Sequence, residues 1–128
     1  MNCLIVESNA DLGRLWQRHL ERLGITVTLA LTGARALNLI ESQAFDVVVL
    51  DLLLDEGSAL AIADFADFRQ PNINVVFVTN TTFFSDGSIF NHAANACAFV
   101  ESSTPPDDLA AIVHHYGGTT PARAVHPN

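Results

Sequence analysis

Phe45-Asp46-Val47-Val48-Val49-Leu50-Asp51 is the stretch whose reading decides the fold. From Val47 to Leu50 no polar residue interrupts the run, and three of its four residues are β-branched. A strand that is apolar on both faces of its pleat must be covered on both faces, as at the centre of a parallel sheet. Phe45 to Leu50 is therefore read as a central strand, and Ile73 to Val78 as a second of the same kind.

Outward from that centre the period switches between strand and helix. Asn2 to Val6 is a short apolar strand. From Ala10 to Leu23, Leu12, Leu15, Trp16, Leu20 and Leu23 recur at helical spacing behind an N-cap at Ser8 or Asn9, and Gly24 closes the helix. Ile25 to Leu29 alternates apolar residues with Thr, as a strand near a sheet edge does. Thr32 caps a helix over Gly33–Ser42, and Ser58 to about Phe68 forms the next. A turn at Pro71 follows, then, after the second central strand, a helix from about Asp86 to Ala94 with Asn95 at its C-cap. Cys97 to Val100 is the fifth strand. Pro106 opens a last helix that buries Leu109, Ile112, Val113 and Tyr116.

Five strands alternating with five helices give an α/β, doubly wound (flavodoxin-like) parallel sheet, with right-handed crossovers and strand order 2-1-3-4-5. The expected domain is 1–117, and 118–128 is expected to be a loose tail.

The charge is −8 with His neutral, and the chain contains no lysine. Its basic residues are Arg14, Arg18, Arg22, Arg35, Arg69 and Arg123. An acidic surface without a basic cluster argues against direct contact with nucleic acid or anionic lipid. Arg14, Arg18 and Arg22 form an i, i+4, i+8 row beside Asp11 and Glu21, read as a solvated helix face. No apolar run approaches the ~20 residues that span a bilayer, and the chain opens into a strand where a signal peptide would carry a basic region. Cys3 and Cys97 are read as two buried thiols of a cytoplasmic protein, in preference to a disulfide.

Open α/β sheets bind and react at the carboxyl ends of their strands, where strand order reverses. There the sequence places Glu7-Ser8-Asn9, Asp51, Thr79-Asn80 and Ser102-Ser103. In the expected order the first and third strands are neighbours about 5 Å apart, so Glu7 faces Asp51. Such an oxygen-rich pocket suits Mg²⁺ and a phosphoryl group, with Asp51 as a nucleophile toward phosphorus.

Leu4-Ile5-Val6-Glu7-Ser8-Asn9 resembles the opening of response-regulator receiver domains, an apolar strand followed by two acids. Val47 to Ser58 is similar to the family's phosphoacceptor strand and loop, with Asp51 at the acceptor position. Val75-Val76-Phe77-Val78-Thr79 matches the strand ending in the switch hydroxyl. Ala96 to Val100 resembles the fifth strand, with Phe99 at the aromatic switch position. The likeness to these chemotaxis-regulator-like signalling domains runs from about Met1 to Tyr116.

The resemblance implies a Mg²⁺ site, and here it is incomplete. The second acid is replaced by Ser8, which leaves Glu7, Asp51 and a backbone carbonyl at Leu53 for a weak Mg²⁺ site. The family's Lys-Pro after the fifth strand is Ser102-Ser103, so a phosphoryl group loses its charge-assisted partner. The cis bond of that Lys-Pro is not expected at a non-proline pair, where it costs about 3 kcal/mol. Asp55 stands for a usual proline and Ala59 for a usual glycine, and Asn80 is larger than the common small residue. Asp55 and Glu56 as substitute metal ligands are weighed against simple solvation, the commoner fate of loop acids.

Three functions remain. One is a working phosphoacceptor, phosphorylated on Asp51 by a histidine kinase or phosphotransfer protein. The second is a pseudo-receiver in phosphorelay signalling that acts by protein–protein contact with little or no phosphorylation, and it is preferred. The third is a flavodoxin-like enzyme or ligand carrier. It lacks a phosphate-cradling loop after the first strand, and adjacent His114 and His115 cannot chelate together. The chain is accordingly read as a signalling domain with no enzymatic role. Receiver domains commonly dimerise or dock through the fourth helix, fifth strand and fifth helix. Here that face would carry Ile89, Phe90, His92, His114 and Tyr116.

Overall fold

The computed structural model describes residues 1–79 and 95–118. Its strands are β1 (Asn2–Val6), β2 (Thr26–Ala30), β3 (Val47–Asp51), β4 (Asn74–Thr79) and β5 (Ala96–Glu101). All four pairings are parallel, in the order β2-β1-β3-β4-β5. The helices are α1 (Ala10–Arg22), α2 (Gly33–Ser42), α3 (Ala59–Arg69) and α4 (Pro106–Gly117). Five helices were expected and the described residues contain four. The helix expected over Asp86–Ala94 lies outside them, as do Asn80 and the tail Thr119–Asn128.

Period-2 geometry divides the central strands between two cores. Leu4, Val6, Val48, Leu50, Val75 and Phe77 face α2 and α3. Cys3, Ile5, Val47, Val49, Val76 and Val78 face α1 and α4. The Val47–Leu50 run is fully buried because both of its faces are covered.

The caps explain the helix boundaries. The Asn9 side chain accepts from the Leu12 N–H and starts α1, while Ser8 is engaged elsewhere. Gly24 takes a φ of +83°, which a residue with a Cβ adopts only with strain. Thr32 and Ser58 cap α2 and α3 through their hydroxyls. Leu23 departs from the expected apolar stripe: as the C-cap of α1 it has left the helical path and is 48% exposed. Trp16 and Leu20 carry the buried stripe instead. Ile112 and Tyr116 of α4 are only half-buried.

Cys3 and Cys97 are free thiols on strands that are not neighbours in the sheet. Burial pushes both up to about 12, so they stay protonated at neutral pH. The described peptide bonds are all trans. Among the described residues no helix is long and apolar enough to cross a membrane.

At the amino end of the sheet, Gln70 holds three backbone groups together. Its Oε1 accepts from the Phe45 N–H at 2.8 Å. Its Nε2 donates to the carbonyls of Ile40 at 2.9 Å and Gln43 at 2.6 Å. Those carbonyls sit at the end of α2, where no helical donor remains for them. Gln70→Ala is expected to destabilise the fold by about 1–3 kcal/mol, as a lower urea midpoint at unchanged slope.

Candidate functional site

At the carboxyl end of the sheet, the loops after β1, β3 and β5 surround a cleft of about 480 Å³. Glu7, Ser8, Asp51, Leu53, Asp55 and Ser102 line it, with Asn9 and Leu12 at the α1 side. The β1–β3 pairing brings Glu7 and Asp51 together, because Val6 aligns with Leu50 and each acid comes next.

Glu7 is 3% exposed. One carboxylate oxygen, Oε2, accepts from the Asn9 N–H at 2.9 Å. The other, Oε1, is buried without a hydrogen-bond partner. Burial is the main cause that raises its pKa to about 7; the Asn9 N–H opposes the shift, while a side-chain hydrogen bond with Asp51 and the charges of Asp51 and Asp55 add to it. Near neutral pH this carboxyl is thus divided between its acid and anionic forms.

Asp51 ends β3, and its Oδ1 accepts from the Leu53 N–H at 2.9 Å, which fixes the turn leaving the strand. Ser8 accepts from the Asp55 N–H at 2.9 Å through its hydroxyl, tying the β1–α1 loop to the β3–α3 loop. Gly57 in that second loop has φ +93°. A Cβ on Gly33 would stand 3.0 Å from the Glu56 carbonyl and 3.3 Å from the Gly57 Cα. The start of α2 therefore supports the loop that carries Asp55.

Thr79, buried at the end of β4, accepts the Ser102 N–H on its carbonyl at 2.8 Å. Phe99 is half-buried and stacks on Phe77, with ring centroids 5.1 Å apart and planes 16° apart. Neither Thr79 nor Phe99 is among the residues lining the cleft, whereas Ser102 is.

The structure brings Glu7, Ser8, Asp51 and Ser102 of the sequence reading around one cleft. Asp55 and Glu56, read as solvated loop acids, are both exposed, and Asp55 also lines the cleft. The sequence reading missed the Ser8–Asp55 tie.

The residues that could hold Mg²⁺ are Glu7 and Asp51, with the backbone near Leu53. Mg²⁺ is commonly held by one or two carboxylates with waters completing its shell, so the chemistry fits. The Glu7 Oε1 is the carboxylate oxygen left without a hydrogen-bond donor, but it is closed to solvent. No group of three or more His, Cys, Asp or Glu positioned for a metal occurs among the described residues.

Of the face expected to serve dimers, Ile89, Phe90 and His92 lie outside the described residues. His114 is exposed and Tyr116 half-buried.

The family model of the response regulator receiver domain matches residues 3–114. The chain belongs to that family. Among its relatives, the alginate biosynthesis transcriptional regulatory protein AlgB of Pseudomonas putida is 29% identical over 106 residues, 83% of this chain and 23% of AlgB. The response regulator receiver protein CpdR of Brucella abortus is 26% identical over 76 residues, 59% of this chain and 63% of CpdR. The chain thus spans about a quarter of the first relative's length and under two thirds of the second's. The BeF3-activated receiver domain of Thermotoga maritima DrrB is 26% identical, with a TM-score of 0.78 over 90% of this chain and 95% of that one. As a receiver domain, the chain is a signalling module of two-component response regulators, and its cleft lies where such a sheet reverses strand order.

Proposed function

We propose that this receiver domain signals through protein–protein contact with little or no phosphorylation of Asp51. Its partners would be a histidine kinase, a phosphotransfer protein or another component of a phosphorelay in the cytoplasm. The carrying observation is the charge of the cleft: among the described residues Glu7, Asp51 and Asp55 line it and no basic side chain does. A phosphorylated Asp51 would carry up to two negative charges in place of one, beside two more acids, with no cation among the described lining residues to offset them. Mg²⁺ bound to Glu7 and Asp51, with the Leu53 backbone, would supply positive charge to an incoming phosphoryl group. With Ser8 in place of a second acid, that binding is weak. Thr79 and Phe99, the switch positions, stand beyond the lining, so any response at Asp51 reaches them through the β3–β4–β5 pairing.

The working phosphoacceptor is the second reading. It draws support from Asp51 lining the cleft beside Glu7. Intact-mass analysis after incubation with Mg²⁺ and acetyl phosphate separates the two. Little or no added phosphoryl mass is expected. Stoichiometric labelling that Asp51→Asn abolishes would overturn the proposal and establish the second reading.

A further inference from the structure

We propose that the chain forms a two-fold dimer by pairing β2 with β2 of a second copy, antiparallel and centred on Thr28. The surface is a free edge of the sheet, and none of its residues lines the cleft. Among the described residues nothing pairs with the outer side of β2. The Thr26 N–H donates to the Met1 carbonyl at 3.0 Å, and the Ala30 carbonyl accepts from the Glu7 N–H at 3.1 Å. Backbone groups alternate along a strand. Thr26, Thr28 and Ala30 therefore bond inward to β1, while Val27 and Leu29 turn their N–H and C=O outward.

Proteins ordinarily blunt such an edge with charge, proline or a bulge, because it is a template for another strand. β2 has none of these. Ile25 to Ala34 contains no charged residue and no proline, and the pairing with β1 runs in unbroken register. Thr26, Val27 and Thr28 are β-branched, as suits a strand. β5, the opposite edge, differs: its pairing with β4 slips between Val75 and Val76, and it ends in Glu101.

The flanking charges favour a second copy as the occupant. From Ala10 to Ser42, which spans β2 and the helices before and after it, Arg14, Arg18, Arg22 and Arg35 stand with Asp11, Glu21 and Glu41. The rest of the chain has only Arg69 and Arg123 against all its remaining acids. The net charge of −8 thus lies elsewhere, and this edge carries both signs. Two copies meet here with the least like-charge repulsion.

The edge is also self-complementary. Pairing about Thr28 sets Val27 against Leu29 of the second copy, and Leu29 against its Val27, each pair exchanging two hydrogen bonds. Thr28 then faces Thr28 across the axis, a favourable cross-strand pair, beside a cleft of about 290 Å³ lined by Thr26, Thr28, Gln43 and Phe45. The strand cannot roll, because Val27 is buried in the core under α1 and Leu29 rests on Gly13, where a Cβ would stand 2.7 Å from its Cδ1. Beyond the ends of β2, Leu23 is 48% exposed and Leu31 39%. An antiparallel partner brings Leu31 of one copy toward Leu23 of the other, which draws both from water.

Sedimentation equilibrium of the intact chain reads the association, and amide hydrogen exchange locates it. One strand pair buries less than the roughly 1,200 Å² of a standard interface, so a dissociation constant on the order of 100 μM is expected. As concentration rises through that value, the amides of Val27 and Leu29 should gain protection. Those of Thr26 and Thr28, already bonded to β1, should not change. Thr28→Lys and Thr28→Glu each set like charges across the axis and should weaken the dimer about tenfold or more. Mixing the two variants should restore association, which a damaged fold could not do. Thr28→Cys should form a disulfide-linked dimer on mild oxidation, with Cα atoms about 4.5 Å apart. Thr26→Cys, about 14 Å from its own copy in this register, should not.

A chain that stays monomeric to about 1 mM, ten times that constant, overturns the proposal. A dimer that withstands Thr28→Lys, or that protects other amides, also overturns it, since the contact would then lie on another face. Failure of the mixed Lys and Glu variants to associate has the same consequence.

Discussion

In metal-free buffer the unfolding free energy of the native chain falls faster with pH, from 4.5 to about 7, than that of the Glu7→Gln variant. Burial and the facing acids raise Glu7 from 4.5 to about 7 in the folded state. Between those values the native state binds a proton that the unfolded state has released, so stability declines as pH rises. Below 4.5 the carboxyl is neutral in both states and contributes no penalty. Above 7 it is charged in both, and the folded protein bears the full cost of a buried anion. A shift of that size corresponds to at most about 3 kcal/mol. Glu7→Gln has no proton to lose, so it should exceed the native chain in stability at pH 8 by on the order of 1–3 kcal/mol and match it near pH 4. Urea unfolding of both proteins across this range, with a chelator present, gives the difference. Parallel curves would show that Glu7 is not held near neutrality.

That behaviour could not be read from the sequence, although most of what produces it could. The Val47–Leu50 run requires two covered faces, and a five-strand α/β alternation places Glu7 beside Asp51. Residue types alone therefore brought the two acids together. Their degree of burial was not legible, because it depends on how loops close over strand ends. Ser8 was legible as a missing acid. Its role as acceptor for the Asp55 N–H was not, because that bond spans 47 residues and depends on how two loops meet. Leu23 shows the opposite failure. Its helical spacing predicted burial, but the helix had already ended, and a cap residue points where the chain turns. Gln70 gave no signal at all, since a glutamine that bonds three distant backbone groups has the same local pattern as a solvated one.

The Ser8→Asp, Ser102→Lys double variant is expected to take phosphoryl mass from acetyl phosphate and Mg²⁺ at least about a hundredfold faster than the native chain. Each substitution supplies one charge-assisted interaction worth about 1.5–3 kcal/mol, one to Mg²⁺ and one to the transferring phosphoryl group. The single variants should not divide this gain evenly. Ser8→Asp alone adds a fourth carboxylate to Glu7, Asp51 and Asp55, which tightens Mg²⁺ but destabilises the metal-free fold by like-charge repulsion. Its carboxylate can still accept from the Asp55 N–H, so the tie between the loops survives. Ser102→Lys alone offsets the acids and should raise the thermal midpoint, yet with a poor metal site it gains little labelling. The added acid and the added ammonium relieve each other, so the double variant should exceed the sum of the singles in both stability and labelling. Asp51→Asn in the double background must return labelling to zero. A folded double variant that labels no better than the native chain would show that the obstacle lies elsewhere than at Ser8 and Ser102.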